Sequence, residues 1–275
     1  MWLAARALPC AAAATVGSAV LRVLGPLLRK HRQVLRNLHQ VLPEADPTEL
    51  RRIARGVWGN LGAVLAEYPH VEHIVDARIR VTVSPAVQAL LDARQPMLFL
   101  SGHLGNWEVL ASYLGRRTGG LVIVYSPDEN PAIERMIQRF RTRSGCAYVT
   151  KQEALRRLTP KFLQGRSVGM LPDVRVDSGP NLPLFGAGAP TTISPARLAM
   201  RLGYPMVPTR VKRLGPARFE IEFEDPLVAD PGRIGKRAAV DLMCRFNARL
   251  EDWIAERPDE WLCTKRRWPK DAPVR

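Results

Sequence analysis

The segment Ser101-Gly-His-Leu-Gly-Asn-Trp-Glu108 places an imidazole five positions before a carboxylate. On one continuous helix these two side chains would point about 140° apart, because an α-helix has 3.6 residues per turn. His103 and Glu108 can therefore meet only if a turn separates them, and Gly105 and Asn106 permit one. Asn106 is also a good N-cap for a helix that would hold Glu108 in its first turn. A carboxylate bound to one ring nitrogen leaves the other nitrogen free to take a proton from a hydroxyl. The segment predicts His103 as a general base and Glu108 as the carboxylate that orients it.

The predicted pair has no nucleophile of its own, so it suits attack by a substrate hydroxyl on a thioester. Two other residues could suggest covalent catalysis. Ser167 lies in a GxSxG pattern, but that motif requires a strand before the serine and a helix after it, and here the order is reversed. Cys146 follows a basic helix, yet no histidine lies near it in sequence, which favours a buried structural thiol.

Apolar strands alternate with amphipathic helices along the chain, and this order predicts how His103 is positioned. We expect one α/β domain over residues 31–275, with a mostly parallel sheet flanked by helices. His103 follows a short apolar run, at the strand end where such sheets place catalysts. The predicted strands cover residues 79–83, 96–103, 120–126, 146–150, 167–173, 205–214 and 217–227. The main predicted helices cover residues 49–68, 131–142, 151–163, 195–202 and 242–254. Asp46-Pro47-Thr48-Glu49 is a plausible start for the first of these, and its apolar residues form one stripe: Leu50, Ile53, Val57, Leu61 and Leu65.

The N-terminal 30 residues predict a membrane-associated helix. Residues 7–21 are uncharged and rich in alanine, and basic residues flank them on both sides. This apolar stretch is shorter than the ~20 residues that span a bilayer comfortably. We therefore expect an in-plane or shallow anchor with cytoplasmic basic flanks. A true membrane span and an ordinary packing helix are the alternatives.

The composition restricts the partners of the chain. Among 275 residues, 41 Lys and Arg against 26 Asp and Glu leave a formal net charge of +15. Such a charge attracts nucleic acid, anionic lipid head groups or an acidic protein. The four cysteines are widely separated and lack zinc-ligand spacing, which indicates free thiols, a reducing compartment and no metal site.

Several segments together resemble a known family. HLGNWE resembles the His-x4-acid motif of the lysophospholipid acyltransferase superfamily, in the form found in late lipid A acyltransferases and mycobacterial phosphatidylinositol-mannoside acyltransferases. Residues 171–208, the tryptophan- and arginine-rich residues 257–269 and the sequence Arg-Asn-Leu at 36–38 are similar to the same branch. The sequence differs from it at Leu184-Phe185-Gly186, where two phenylalanines are common, and at Cys263, where tryptophan is frequent. These differences concern acyl length and acceptor identity rather than the chemistry.

The resemblance implies a glycerol-3-phosphate acyltransferase-like fold and a specific reaction. An acyl chain would pass directly, without an acyl-enzyme, from an acyl thioester to a hydroxyl of a glycolipid such as a lipid A precursor. The donor would be acyl-acyl carrier protein, with acyl-coenzyme A as the other possibility, and no cofactor would be needed. An apolar groove would hold the chain, and the enzyme would work at the cytoplasmic face of the inner membrane.

The resemblance also assigns roles to single residues. It implies catalysis by His103 and Glu108, and a second motif at Asp173 and Arg175 that organises the acceptor or the active site. The expected substrate-binding residues are Asn106, Asp173, Arg175 and Arg197, of which Arg197 is a weaker candidate for a phosphate contact.

Other functions remain open from the sequence alone. The acceptor could be another glycolipid or a lysophospholipid. A basic protein that binds lipid or nucleic acid without catalysis is the alternative from a different class. We expect no nucleic-acid partner, because no aromatic-rich strand motif is present and the arginines are spread along the chain.

Overall fold

A seven-stranded sheet forms the centre of the computed structural model, which describes residues 2–128, 130–142 and 144–272. The order of its strands is β1-β9-β8-β2-β5-β3-β4. A separate two-stranded sheet pairs β6 with β7. The strands are β1 (Ile79–Val83), β2 (Leu98–Leu100), β3 (Leu121–Tyr125), β4 (Cys146–Thr150), β5 (Ser167–Met170), β6 (Asn181–Leu184), β7 (Ala187–Pro190), β8 (Met206–Gly215) and β9 (Arg218–Phe223).

The helices cover the sheet and extend beyond it at the N-terminal end. They are α1 (Trp2–Ala7), α2 (Cys10–Leu24), α3 (His31–Val41), α4 (Pro47–Glu67), α5 (Val71–Ala77), α6 (Pro85–Asp92), α7 (Trp107–Arg117), α8 (Pro131–Arg141), α9 (Lys151–Arg157), α10 (Pro160–Leu163), α11 (Ser194–Leu202) and α12 (Gly235–Glu256). Short 3-10 turns lie at Gly25–Leu27, Tyr68–His70 and Pro258–Glu260.

The predicted α/β fold with a mostly parallel sheet is confirmed. Strands β8, β2, β5, β3 and β4 run parallel to one another, whereas β9 runs antiparallel to β8. Strand β1 then pairs parallel with β9. Alternate residues of the central strand belong to different apolar clusters, Leu98 and Leu100 to one and Phe99 to the other. The sheet therefore has a packed core on each face, as buried parallel strands require.

The local predictions differ from the structure in two helices. The predicted helix over residues 151–163 is divided into α9 and α10, because Thr159 caps a new helix that begins at Pro160. The final predicted helix begins earlier than residue 242, at Gly235, because the apolar face of α12 starts with the buried residues Ala238 and Ala239.

The β6–β7 hairpin was not predicted from the sequence. Each strand has only four residues, and Pro183 and Gly188 weaken the strand pattern. Phe185 and Gly186 both have positive φ, at 48° and 71°, as the tight turn of a two-residue hairpin requires. Tertiary contacts with α12 support the hairpin, since Glu251 accepts a hydrogen bond from the Phe185 backbone at 2.6 Å.

Helix α4 begins and packs as its sequence predicts. Asp46 caps it by accepting hydrogen bonds from the backbone of Thr48 and Glu49. Along the predicted apolar stripe, the first three residues are buried and the last two are half-buried. This stripe consists of Leu50, Ile53, Val57, Leu61 and Leu65.

The N-terminal apolar helix packs along α4 rather than standing apart from the protein. Residues Cys10–Leu27 are long and apolar enough to cross a membrane, and this is the one such segment among the described residues. One face of α2, with Ala13, Ala14 and Gly17, is buried. The backbones approach so closely that a Cβ on Gly62 would lie 2.0 Å from the Gly17 carbonyl oxygen. The expected division of the chain at residue 30 stays a prediction.

We predict that Gly62→Ala lowers the stability of the protein, although alanine favours helix more than glycine does. The new methyl group meets backbone that cannot move aside, and overpacking of this kind typically costs about 1–3 kcal/mol. Gly59→Ala on the same helix is the matched control, because its methyl group meets the Arg22 and Ser18 side chains, which can rotate. Thermal unfolding in detergent should give a lower Tm for Gly62→Ala and an unchanged or higher Tm for Gly59→Ala. Equal Tm values for the two variants would contradict close α2–α4 packing.

Candidate active site

His103 lies in a loop that the end of β2 and the start of α7 hold from both sides. The buried strand ends at Leu100, and α7 begins at Trp107. Gly105 makes the turn between them with a φ of +53°, and a Cβ at this position would lie 2.4 Å from the Val211 carbonyl oxygen. Only glycine satisfies both the positive φ and the close approach. The turn that the sequence predicted is therefore present.

The loop after β5 brings Asp173 beside His103. Strands β2 and β5 are parallel neighbours in which Leu100 is paired with Met170. His103 and Asp173 each lie three residues beyond this pair. Equal offsets beyond paired residues of neighbouring parallel strands place two side chains at the same edge of the sheet, so the topology itself forms the pair.

The contact between the two residues is direct. The Nδ1 atom of His103 lies 2.7 Å from Oδ1 of Asp173, and the His103 backbone N–H donates to Oδ2 at 3.0 Å. The indole N–H of Trp261 also donates to Oδ2, at 3.1 Å. Asp173 is 3% exposed, whereas 27% of the His103 side chain is exposed. With Nδ1 bound to the carboxylate, Nε2 is the ring nitrogen that can accept a proton.

Electrostatics favours the protonated imidazole. Burial lowers the pKa of His103, but the charge and hydrogen bond of Asp173, with a smaller contribution from Glu108, outweigh burial and raise it above the ordinary 6.5. Burial raises the pKa of Asp173, yet His103 and Trp261 hold it below its ordinary value. The site can therefore stabilise the imidazolium that forms when His103 takes a proton.

The predicted hydrogen bond between Glu108 and His103 is wrong. Asn106 caps α7 immediately, so Glu108 lies in the first helical turn, where its carboxylate faces α8. Arg141 donates two hydrogen bonds to this carboxylate, from Nη2 to Oε1 at 2.7 Å and from Nε to Oε2 at 3.2 Å. Glu108 is buried. The Arg141 guanidinium also stacks over the Tyr148 ring, 4.5 Å from the centroid. The catalytic role of Glu108 stays a prediction, now without a direct contact with the imidazole.

The side chain of Asn106 forms hydrogen bonds with other residues of the protein. Its side-chain oxygen accepts hydrogen bonds from the backbone of Glu108 and Val109, and its amide donates to Glu67 at 2.8 Å. Arg213 in turn forms an ion pair with Glu67. Asn106 is fully buried in this network, which confirms its expected position as a helix cap. Its expected contact with substrate stays a prediction.

The two arginines named as substrate-binding residues have different positions. Arg175 follows Asp173 in the loop after β5 and binds Asp177 at 2.5 Å and the Trp268 carbonyl oxygen at 3.0 Å. Arg197 is exposed on α11. Among the contacts of the described residues, none links Arg197 to His103 or Asp173. Substrate contacts of both arginines stay predictions.

Ser167 and Cys146, the two residues considered for covalent catalysis, have the surroundings of structural residues rather than of nucleophiles. Ser167 opens β5, is buried and accepts a hydrogen bond from the Met97 backbone at 3.1 Å. Burial raises the pKa of Cys146 to about 11, so its thiolate is disfavoured. Neither side chain has an environment that would activate a nucleophile.

The C-terminal segment, residues 257–268, encloses the site, a role that the sequence did not reveal. The Leu262 backbone N–H donates to the His103 carbonyl oxygen at 2.8 Å. The Asn60 amide bridges the carbonyl oxygens of Gly105 and Glu260 at 2.9 and 3.0 Å. Further along, the Asn37 amide donates to the Cys263 carbonyl oxygen at 2.7 Å. The density of tryptophan and arginine in this segment is the signal that marked it, but composition does not specify these partners.

An apolar cavity of about 500 Å³ lies elsewhere, between α6, α11 and the first residues of β8. Leu90, Met200, Tyr204 and Leu227 are among its lining residues. It is at the amino end of β8, whereas His103 follows the carboxyl end of the parallel strand β2. The cavity and the histidine therefore lie at opposite edges of the sheet. The apolar groove expected for an acyl chain stays a prediction.

An α/β sheet that carries a partly exposed His–Asp pair at its carboxyl edge defines a protein suited to general-base activation of a hydroxyl. A sequence profile of the bacterial lipid A biosynthesis acyltransferases matches residues 1–270, so the chain belongs to this family. A comparison with curated proteins finds no match. The family establishes acyl transfer in lipid A biosynthesis as the activity class and confirms the resemblance seen in the sequence.

We predict that Asp173→Asn and Glu108→Gln change the pH dependence of the reaction to different extents. A base must be unprotonated, so kcat/KM should fall as the pH drops below the raised pKa of His103. Asp173→Asn removes the main group that raises this pKa, so the acid limb should move to lower pH while kcat falls about 10²-fold or more. Glu108→Gln removes only the smaller contribution and should move the limb less. pH–rate profiles of both variants measure this, and a larger shift for Glu108→Gln would contradict the assignment of Asp173.

Proposed function

We propose that the chain transfers an acyl group from acyl-acyl carrier protein to a hydroxyl of a lipid A precursor, with His103 as general base. The contact that supports this most directly is the 2.7 Å hydrogen bond between His103 Nδ1 and Asp173. It fixes the tautomer in which Nε2 is the acceptor, and 27% of the side chain remains exposed to meet a substrate.

The proposed chemistry proceeds by direct attack. Nε2 of His103 takes the proton of the acceptor hydroxyl as its oxygen bonds to the thioester carbonyl carbon. Asp173 stabilises the resulting imidazolium, as in hydrolytic triads. The tetrahedral intermediate then collapses, the carbon–sulfur bond breaks, and the imidazolium returns the proton to the sulfur. The products are the acylated lipid and the free thiol of the donor.

The charge of the chain supports an acidic donor and an anionic acceptor. A formal net charge of +15 attracts both an acidic carrier protein and phosphorylated lipid. Arg is the main cationic residue, and its planar fork binds phosphate through two hydrogen bonds. Acyl-coenzyme A carries phosphate as well and is the alternative donor. Another glycolipid or a lysophospholipid is the alternative acceptor.

We propose that the reaction uses no cofactor beyond the acyl donor. The thioester is already activated, and the transfer moves one proton and one acyl group without any change of oxidation state. The base, its carboxylate partner and substrate positioning supply the kinds of catalysis that acyl transfer to a hydroxyl uses.

We predict that His103→Ala lowers kcat by about 10²–10⁴-fold, the usual loss when a general base is removed. The assay uses purified protein in detergent, labelled acyl-acyl carrier protein or acyl-coenzyme A, and a panel of lipid A precursors, other glycolipids and lysophospholipids. Asp225→Ala, at an exposed position of the segment after β9, is the control for a change on the surface. A rate close to wild type in His103→Ala would exclude the proposed mechanism. Binding of lipid or nucleic acid without turnover would indicate the non-catalytic alternative.

The N-terminal surface supports an in-plane membrane contact. The exposed part of α2 is mostly apolar, with Thr15 and Arg22 as its polar residues, and the exposed apolar side chains continue into the following turn. The exposed apolar residues are Val16, Val20, Val23, Leu24, Leu27 and Leu28. Basic residues follow at once, and Arg29, Lys30, Arg32 and Arg36 are exposed. We propose that this surface, residues 16–36, lies on the cytoplasmic face of the inner membrane, with the apolar side chains inserted and the basic ones at the phosphates.

We predict that Val23→Glu/Leu27→Glu weakens binding to anionic phospholipid vesicles about 100-fold, because each buried apolar side chain contributes about 1.5 kcal/mol or more. These residues are 70% and 79% exposed. Val228→Glu/Ile234→Glu is the matched control, since those residues are 71% and 82% exposed but lie outside the surface. Vesicle flotation should show a loss only for the first variant. Equal binding of the two variants would contradict the proposed membrane surface.

A further inference from the structure

The carboxylate of Asp173 has three hydrogen-bond donors, of which one belongs to a distant part of the chain. His103 supplies two of them, from its ring and its backbone. Trp261 supplies the third, from a position 88 residues after Asp173. A carboxylate held by three donors in different directions cannot rotate without losing at least one of them.

Trp261 is itself held firmly. Its side chain is 2% exposed, and its ring packs edge to face with Trp268, with the centroids 6.2 Å apart. Trp268 is fixed in turn by an indole hydrogen bond to the Leu184 carbonyl oxygen at 3.1 Å. The backbone on either side of Trp261 is tied to the loop that carries His103. The Leu262 N–H donates to the His103 carbonyl oxygen, and the Asn60 amide on α4 links the Glu260 carbonyl oxygen to that of Gly105. The indole N–H is therefore a fixed donor rather than one that follows the carboxylate.

We propose that Trp261 is a positioning residue for the His103–Asp173 pair. Its indole N–H fixes the direction of the Asp173 carboxylate and disperses part of its negative charge. The burial of Trp261 excludes substrate contact, so it acts only through Asp173. This inference rests on the proposed role of His103 as the base.

The position of Trp261 gives a definite expectation for turnover. Without the indole N–H, only the two donors of His103 hold the Asp173 carboxylate, so its orientation is less tightly fixed. Misorientation of a base typically lowers the rate of the chemical step rather than substrate binding. We expect Trp261→Phe to lower kcat about tenfold, the change that corresponds to one hydrogen bond to a charged group, and to leave both KM values within about twofold.

The same variant should change the titration of His103. Loss of the indole donor leaves more negative charge on the two carboxylate oxygens, which strengthens the bond to the imidazole. His103 should then hold its proton to a higher pH than in the wild type. Simple loosening of the core would instead weaken the contact with Asp173 and move the titration to lower pH.

The chain contains a matched control for the loss of an indole N–H. Trp253 on α12 is equally buried, at 2% exposure, and donates its N–H to the Glu224 carboxylate at 2.7 Å. Trp253→Phe therefore removes the same atoms and the same type of hydrogen bond outside the His103–Asp173 pair. Substitution of position 261 by β-(3-benzothienyl)alanine replaces the N–H by sulfur at nearly constant volume. This second variant tests the proposal if Trp261→Phe does not fold.

The experiment combines turnover with a direct titration by NMR of protein labelled at the histidine rings. His103→Ala assigns the resonance of His103 among the five histidines. A tenfold lower kcat and a higher His103 pKa in the position-261 variant, but not in Trp253→Phe, is the expected result. A titration unchanged or moved to lower pH, or a kcat equal to that of Trp253→Phe, would overturn the proposal. The titration does not depend on turnover, so absence of transfer by the wild type would reject the proposed function separately.

Discussion

The hydrogen bond between His103 and Asp173 is the interaction around which the other features of the site are arranged. A buried carboxylate is stable only when its charge is compensated, and here an imidazole, a backbone amide and an indole provide that compensation. The carboxylate and its side-chain donors each belong to a segment that has its own support. The Gly105 turn fixes the imidazole, the parallel pairing of β2 and β5 fixes the carboxylate, and the C-terminal segment fixes the indole.

This arrangement separates the two acidic groups whose charges act on His103. Asp173 contacts the ring, while Glu108 is neutralised by Arg141 at the other side of the α7 N-terminus. Separating a buried carboxylate from an arginine that binds it through two hydrogen bonds is strongly destabilising. Glu108 therefore fixes α8 against the start of α7, and its charge acts on His103 only from a distance. Two carboxylates near one histidine thus have different roles because their partners differ.

Much of the fold could be predicted because it depends on local patterns. The short apolar strands, the helix start at Asp46 and the turn at Gly105 and Asn106 could all be predicted from the sequence. The carboxylate that binds His103 could not be predicted, because it depends on which strand lies beside β2. Strand order is a property of the whole sheet, and the segment that ends in Asp173 follows two further strands and four helices after β2. The β6–β7 hairpin escaped prediction for a similar reason, since α12 rather than its own residues stabilises it.

The C-terminal segment has a consequence for how the protein is made. His103 and Asp173 are synthesised well before Trp261, and domains generally begin to fold from the N-terminal side during synthesis. A nascent chain can therefore form α2, α4 and part of the sheet while Asp173 has only the His103 donors and still lacks the Trp261 indole. The site closes only when residues 257–268 leave the ribosome and pack across the loops. The His103–Asp173 pair therefore gains its third donor late, after most of the fold that holds it has been synthesised.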